Sequence, residues 1–203
     1  VSSAEHELYE QALKEAGLFE VALAELNAAI ELPFDVFVVL GECGTSNAFY
    51  DPENKQITLC YELMDAVASD LAAAAESEEQ LGVWMIRTLL FVFYHELSHA
   101  LIDIYALPTT GREEDAADQL SAIVLVGAGE EGEMAVLDGA TWLLVRAGNE
   151  LDESAFADVH ALDPQRFYNL ACWVYGNNQQ THSYLIEYGY LPAERAVGCE
   201  GEY

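Results

Sequence analysis

The chain has 203 residues, of which 52% are hydrophobic, and its 36 acidic and 7 basic residues give a formal net charge of −29. A hydrophobic fraction of this size excludes a disordered chain. Because so few lysines and arginines are present to meet phosphates, we exclude nucleic acid and anionic membrane surfaces as partners. The length predicts a single domain over residues 1–203, with residues 1–105 and 106–203 as candidate lobes.

The spacing of hydrophobic residues predicts a mainly helical chain with a few strands near its N-terminus. Ser2, Ser3 and Ser77 stand where helix N-caps are expected. In chain order we predict a helix over 3–31, a strand over 34–40, two strands around the turn 51–54, helices over 62–75, 79–105, 112–127 and 132–147, an acidic loop to Asp158, and short helices after Pro164, near 179 and after Pro192. The predicted fold class is α+β, mostly α, with a small N-terminal β-sheet and a C-terminal helical lobe.

The helix predicted over 79–105 is apolar in its first half but does not read as a membrane span. Its apolar flank, residues 83–94, is about a dozen residues long, whereas a span needs about 20. Arg87 interrupts the flank, and charged and polar residues follow it. We therefore expect no membrane span and place this helix at the centre of the fold.

Four cysteines fall into an N-terminal and a C-terminal pair, and none forms a CxxC motif. This pattern favours disulfides, which we predict as Cys43–Cys60 and Cys172–Cys199 because each pair lies within one local segment. Four buried, reduced thiols are the alternative. Disulfides favour an exported protein, periplasmic or secreted. The chain begins at Val1 without methionine or a basic segment, as expected if a signal peptide has been removed.

The sequence HELSH at residues 95–99 is an HExxH motif within the predicted helix 79–105. Residues four apart lie on one helix face, so His95 and His99 can bind a single Zn²⁺ ion. Glu96 lies about 100° round the helix, where its carboxylate can take a proton from a water polarised by the ion. A chance match is rare because the chain has only five histidines. The alternative is a core helix that carries polar residues.

A catalytic zinc site needs a third protein ligand, and the segment GREEDAADQL supplies candidates. Glu114 and Asp118 form the only ExxxD pattern after His99. We predict Glu114 as the third ligand and Asp118 as an acceptor for the N–H of a zinc-bound imidazole, with Glu113 or Asp115 as alternatives for the ligand. Asp103, one turn after His99, is a candidate to orient that histidine or is a solvated carboxylate at the helix end.

These residues carry a family resemblance. HELSHALID followed by EEDAAD is similar to the glutamate-zincin metallopeptidases, whose thermolysin-like members share the HExxH helix, a glutamate ligand and an aspartate four residues on. CGTSNAFYDPENKQITLCYEL, YHELSHALIDIYALPTTGREEDAADQ, HALDPQRFYNLACWVYG and LPAERAVGCEGEY together resemble the DUF4344 family of bacterial metallopeptidase-like proteins. The resemblance implies a zincin-like fold, one Zn²⁺ per chain and hydrolysis of peptide bonds. The spacer from His99 to Glu114 is shorter than in thermolysin-like enzymes.

The implied reaction is attack of water on a zinc-polarised carbonyl, with Glu96 as general base and then general acid. The developing oxyanion needs a hydrogen-bond donor, for which His160, Arg166 and Tyr168 are candidates. The thermolysin-like resemblance favours His160, whose alternative is a surface histidine. Arg166 is more typical of a structural ion pair, and Tyr168 of a core residue.

We also make predictions for the edge strands, for the aromatic residues and for the two remaining histidines. An extended peptide can add to an edge strand, for which 46–50 or 56–61 are candidates, or these strands form a plain hairpin. We assign six aromatic residues to the core by default, and we expect His6 and His182 at the surface or in local hydrogen bonds. The six aromatic residues are Phe49, Tyr50, Tyr61, Trp84, Phe91 and Phe93.

The sequence thus predicts a zinc-dependent peptidase that acts on peptide or protein substrates. One alternative is a non-catalytic metal-binding or structural protein that retains the HExxH site. Another is a metal-dependent hydrolase of a bond other than a peptide bond. Substitution of Glu96 by glutamine separates an enzyme from a binder, because it removes the base and leaves the metal ligands in place.

Overall fold

The computed structural model describes residues 3–148 and 153–203. The chain divides into two compact units, Val1–Pro108 and Thr109–Tyr203, which we describe separately. In the N-terminal unit the elements are α1 (Ala4–Ala16), α2 (Leu18–Ala29), β1 (Phe37–Gly41), β2 (Ala48–Asp51), β3 (Gln56–Cys60), α3 (Tyr61–Ala72) and α4 (Glu78–Tyr105). In the C-terminal unit they are α5 (Glu113–Gly127), α6 (Glu130–Ala147), the 3₁₀ helix Glu153–Ala157, α7 (Asp163–Asn177), α8 (Tyr184–Glu187), α9 (Ala193–Ala196) and α10 (Cys199–Glu202). The predicted α+β, mostly α class is confirmed.

The first helical segment is two helices and not the single one predicted over 3–31. Ser3 caps α1, since its side chain accepts a hydrogen bond from the His6 N–H, as predicted. Gly17 adopts a left-handed backbone with φ 61°, which ends α1 and begins α2. Only glycine adopts this conformation at little cost, so the apolar period continues across a break in the helix. Ser2, the other predicted cap, lies outside the described residues.

A three-stranded sheet follows, in the order β1-β3-β2. Strand β3 is central, parallel to β1 and antiparallel to β2. The two strands predicted around the turn 51–54 are therefore confirmed as a hairpin. Of the two candidate edge strands, 56–61 is wrong because β3 is paired on both sides, whereas β2 lies at an edge. The predicted disulfide Cys43–Cys60 is confirmed and joins the loop after β1 to the end of β3.

Helix α4 is the long central helix of the N-terminal unit, and its predicted start and end are confirmed within one residue. The Ser77 side chain caps it by accepting a hydrogen bond from the Gln80 N–H, as predicted. The helix ends at Ala106, which has a left-handed backbone with φ 48°. From Thr88 to Ser98 nearly every residue is buried, and Phe91 and Phe93 belong to the core together with Ile57 of β3.

The C-terminal unit is a helical layer built on α5, α6 and α7. Helices α5 and α6 approach so closely that a Cβ added at Gly132 would lie 1.8 Å from the backbone oxygen of Leu125. The predicted disulfide Cys172–Cys199 is confirmed and ties α7 to α10. The loop predicted up to Asp158 contains the 3₁₀ helix Glu153–Ala157, and its residues 149–152 lie outside the described residues.

Several default assignments of single residues are wrong. Phe49 is 40% exposed on the edge strand β2, and Tyr168 is 38% exposed on α7, so neither is a core residue. His6 and His182 are buried and bond to residues far away in the sequence, not to local ones. His6 lies 3.0 Å from Asp65, and His182 lies 2.9 Å from Glu133. In both cases a carboxylate from another helix pairs with Nε2 of a buried imidazole, an arrangement that sequence spacing does not reveal.

Candidate metal centre

Helix α4 carries the three defining residues of the HExxH motif in its C-terminal half. His95 is 5% exposed and Glu96 is 7% exposed, while His99 is half-buried. The neighbouring Ser98 donates its hydroxyl hydrogen to the backbone oxygen of Tyr94, so this polar side chain is satisfied within the helix. The motif therefore lies on a buried, well-packed part of a helix, and regular helices hold ligand geometry more precisely than loops do.

The two histidines of the motif converge on one point. Their Nε2 atoms lie 3.3 Å apart, and their ring planes are inclined at 80°. Two nitrogen ligands that each lie 2.0–2.1 Å from a tetrahedral zinc are separated by about 3.3 Å. The same distance also fits a hydrogen bond from a protonated ring nitrogen to an unprotonated one. The two Nε2 atoms thus have the separation expected for two of the four ligands of a tetrahedral zinc ion.

Asp103 joins the end of α4 to the β-hairpin. Its Oδ2 accepts hydrogen bonds from the Tyr50 hydroxyl at 2.8 Å and from Lys55 Nζ at 2.7 Å. These hydrogen bonds hold the pKa of the Asp103 carboxyl below its usual value, with Lys55 as the main cause. Asp103 is therefore more than a solvated helix-end carboxylate. Whether it also orients His99 stays a prediction.

In the C-terminal unit, Glu114 and His160 form a second polar cluster. Glu114 lies in the first turn of α5, and its Oε2 is 2.9 Å from His160 Nε2. The other ring nitrogen, Nδ1, is 2.9 Å from Asp158 Oδ1, which also accepts the His160 backbone N–H at 2.8 Å. Arg112 donates to the His160 backbone oxygen at 3.0 Å. The hydrogen bond to Glu114, followed by that to Asp158, outweighs burial and raises the pKa of His160.

Asp118, one turn after Glu114, is bound to Arg166 of α7. Arg166 Nε donates to one carboxylate oxygen at 2.7 Å and Nη2 to the other at 2.8 Å. Both side chains are buried, with exposures of 8% and 5%. Arg166 also lies 3.7 Å from Asp163. Arg166 thus has the structural pairing that we expected for it, and the exposed Tyr168 on the same helix has no core role.

A family model described as "Putative metallopeptidase", DUF4344, matches residues 1–203. The chain belongs to this family. Membership in DUF4344 implies a metal ion and peptide or protein substrates. No protein of curated function matches the chain, and no solved structure matches it. The zincin-like topology therefore stays a prediction, as does the identity of the metal.

Two more findings concern the cysteines and the length of the apolar helices. Both predicted disulfides are present, which is typical of proteins in oxidising compartments. No helix in the described part of the chain is long and apolar enough to cross a membrane.

Sequence reasoning missed one residue of the cluster formed by Glu114 and His160. Asp158 holds Nδ1 of His160, yet it was predicted only as the end of an acidic loop. The signal was available as the Asp-x-His spacing of residues 158–160, since an Asp side chain readily accepts the backbone N–H two residues on. The clustering of Glu114 with His160, 46 residues later, had no such local signal.

Proposed function

We propose that this DUF4344 protein is a zinc-dependent peptidase. One Zn²⁺ per chain is held by His95, His99 and Glu114, and peptide or protein chains are the substrates. The observation that carries the proposal is the 3.3 Å separation of the two histidine Nε2 atoms on the buried helix α4, which fits two ligands of one tetrahedral ion. Glu114 is supported by the ExxxD pattern in the sequence and by its place in the first turn of α5.

A zinc ion bound here would act as a Lewis acid on the scissile carbonyl and would lower the pKa of a water. Glu96 is the general base. It follows His95 directly on α4, so its carboxylate lies about 100° round the helix from the first ligand and is not itself a ligand. Having accepted the proton of the attacking water, Glu96 delivers it to the amine that leaves.

His160 stabilises the oxyanion of the tetrahedral intermediate. With Asp158 accepting the Nδ1 hydrogen, Nε2 carries a hydrogen that lies toward Glu114 Oε2, 2.9 Å away, and we propose that His160 donates it to the oxyanion once substrate is bound. Asp158 thereby orients His160, in the way that a carboxylate commonly orients a catalytic imidazole. Asp118 and Asp103 position the ligands: Asp118 is expected to accept the N–H of a zinc-bound imidazole, and Asp103 to orient His99.

The first test is the zinc content of protein purified without a metal-affinity tag, measured by elemental analysis. We expect about one zinc per chain in the wild type and a clear loss in His95→Ala and Glu114→Gln. Glu113→Gln is the matched control, because the neighbouring carboxylate is exposed and carries the same charge. If Glu114→Gln retains zinc and Glu113→Gln loses it, the third ligand is Glu113 and not Glu114. No zinc in the wild type, even after addition, would refute the metal centre.

The second test separates an enzyme from a non-catalytic metal protein. Glu96→Gln keeps the size of the side chain but cannot take a proton, so we expect kcat on a peptide substrate to fall about 10²- to 10⁴-fold with zinc content unchanged. His160→Ala should lower kcat and keep zinc. If the wild type binds zinc but turns over no peptide tested, the retained-site alternative holds, whereas full activity in Glu96→Gln would refute the role of Glu96 as base. Turnover of esters but not peptides would indicate a hydrolase of another bond.

We further propose that the protein is exported to the periplasm or secreted. The two disulfides support export because they persist in oxidising compartments. Fractionation of the source cells, followed by mass spectrometry of the mature N-terminus, tests this. Recovery of the protein in the reduced form from the cytosol would refute it.

A further inference from the structure

The N-terminal unit contains a cavity that the proposed chemistry does not use. Its volume is about 760 Å³, within the range of about 300–1,000 Å³ that is usual for small-molecule sites. Leu26 of α2 and Val38 of β1 form part of its walls. Ile57 of β3 and Phe93 and Leu97 of α4, all buried, lie at its inner end. Thus the cavity reaches from the surface of α2 to the core of the unit.

This cavity adjoins the face of α4 opposite the HExxH histidines. Phe93 precedes His95 by two residues and Leu97 follows it by two, and each two-residue step turns the helix by about 200°. Phe93 and Leu97 are four apart and share a face, as do His95 and His99 on the other side. A molecule in the cavity would therefore contact the two turns of α4 that carry His95 and His99, on the opposite face of the helix.

The polar residues of the cavity lie at its mouth and are mostly acidic. Asn27, Glu31 and Asp35 are exposed, whereas the other lining residues are hydrophobic. No lysine or arginine of the described ranges lines it. A cavity with hydrophobic side chains inside and two carboxylates at the entrance complements a molecule that has a hydrophobic body and a positive end. An anionic amphiphile would bury its tail equally well but would meet the two like charges.

We propose that this cavity is a binding site for a small amphipathic amine. The hydrophobic body lies against Leu26, Val38 and Ile57, and the ammonium group lies near Glu31 and Asp35. Occupancy is transmitted to α4 through Phe93 and Leu97. The proposal does not depend on the zinc chemistry, because every residue it uses is separate from the predicted ligands and from Glu96.

The test is a titration of the full chain with octylammonium, followed by NMR of methyl groups. We expect saturable shifts of the Ile57, Leu26 and Leu97 methyl signals. Octanoate, which has the same chain length and the opposite charge, should bind at least about tenfold more weakly at low salt, and 0.5 M NaCl should reduce the difference. Octan-1-ol should fall between the two. Changes in the ring signals of His95 or His99 on binding would report transmission along α4.

Two sets of variants locate the site. Ala28→Trp adds a large side chain at an exposed position that lines the cavity and should abolish binding. Ala24→Trp, at an exposed position of the same helix that does not line it, is the control and should bind like the wild type. The double variant Glu31→Gln/Asp35→Asn should show a clearly smaller preference for octylammonium over octanoate than the wild type, and the remaining preference, which comes from the overall negative charge, should disappear in 0.5 M NaCl.

Three results would overturn the proposal. Equal affinity of the wild type for octylammonium and octanoate would remove the cationic preference. Unchanged binding in Ala28→Trp would place the ligand elsewhere. If the same methyl signals shift with protein concentration in the absence of any amine, the groove is an interface between copies of the chain and not a ligand site. If the folded wild type binds the amine but no zinc, the proposed function is refuted and the amine site is not.

Discussion

Breaking the buried pair of Arg166 with Asp118 should be among the most damaging single changes in the C-terminal unit. Burial opposes a charge on Arg166, but the hydrogen bonds to Asp118 outweigh it and raise the pKa of the guanidinium. Both carboxylate oxygens of Asp118 accept from this guanidinium. Substitution of Arg166 by methionine keeps much of the buried volume and leaves the carboxylate of a 4% exposed residue without its cation.

The expected cost follows from how buried ion pairs behave. Removal of one partner costs about 3–5 kcal/mol, whereas replacement of both by hydrophobic residues of similar volume is often neutral or stabilising. For total stabilities of about 5–15 kcal/mol, Arg166→Met alone should thus remove a large part of the free energy of unfolding. The double variant Arg166→Met/Asp118→Val should recover most of it.

Urea unfolding followed by tryptophan fluorescence measures this, since Trp142 and Trp173 lie in the same unit. With an m-value of about 2 kcal/mol/M, a loss of 4 kcal/mol lowers the midpoint by about 2 M. The zinc affinity of the double variant should be measured as well. If Asp118 orients a zinc ligand, its loss should weaken zinc binding about 10- to 100-fold. A midpoint within about 0.3 M of the wild type for Arg166→Met, at unchanged m, would refute the reasoning.

Two further predictions concern stability. The hydrogen bond to Asp65, opposed by burial and reinforced by Glu42, raises the pKa of His6 above 6.5, so its stabilising contribution is fully present below pH 6.5 and is lost as the pH rises through the raised value. The Tm difference between wild type and His6→Gln should therefore be largest near pH 6 and shrink by pH 9, and a difference that grows with pH would contradict this. Gly132→Ala should destabilise the protein because the added Cβ meets the Leu125 backbone, whereas Gly82→Ala, which meets nothing within 4 Å, should stabilise it by up to about 1 kcal/mol in thermal unfolding.

The elements that sequence predicted well are those with a local physical signal. A serine cap, a long run of apolar residues at helical spacing and an HExxH pattern all indicate helix α4, and its bounds were predicted within one residue. The β2–β3 hairpin follows from a turn sequence between β-branched residues. Both disulfides join residues of one local segment, so proximity in sequence was a fair guide to proximity in space.

The features that were missed depend on contacts between distant segments. The single helix predicted over 3–31 is broken at Gly17, because one glycine with a left-handed backbone interrupts a period that the hydrophobic residues continue. His182 was expected at the surface or in a local hydrogen bond, but it is buried and its Nε2 lies within hydrogen-bond distance of Glu133 of α6. In a chain with 36 acidic residues, composition alone does not tell which carboxylate a given cation or histidine will bind.

The same excess of acid gives the few cations a defined role. At least five of the seven basic residues form ion pairs with carboxylates, each within one unit and four of them between different segments of the chain. The pairs are Lys14–Glu10, Lys55–Asp103, Arg146–Asp163, Arg166–Asp118 and Arg195–Glu202. Neutralising one cation changes the net charge only from −29 to about −30, which barely alters the field around the protein. Any large effect of such a change must therefore come from the contact that is lost. The long-range field depends instead on the many remaining carboxylates, and we expect it to favour the approach of cationic over anionic peptides at low salt.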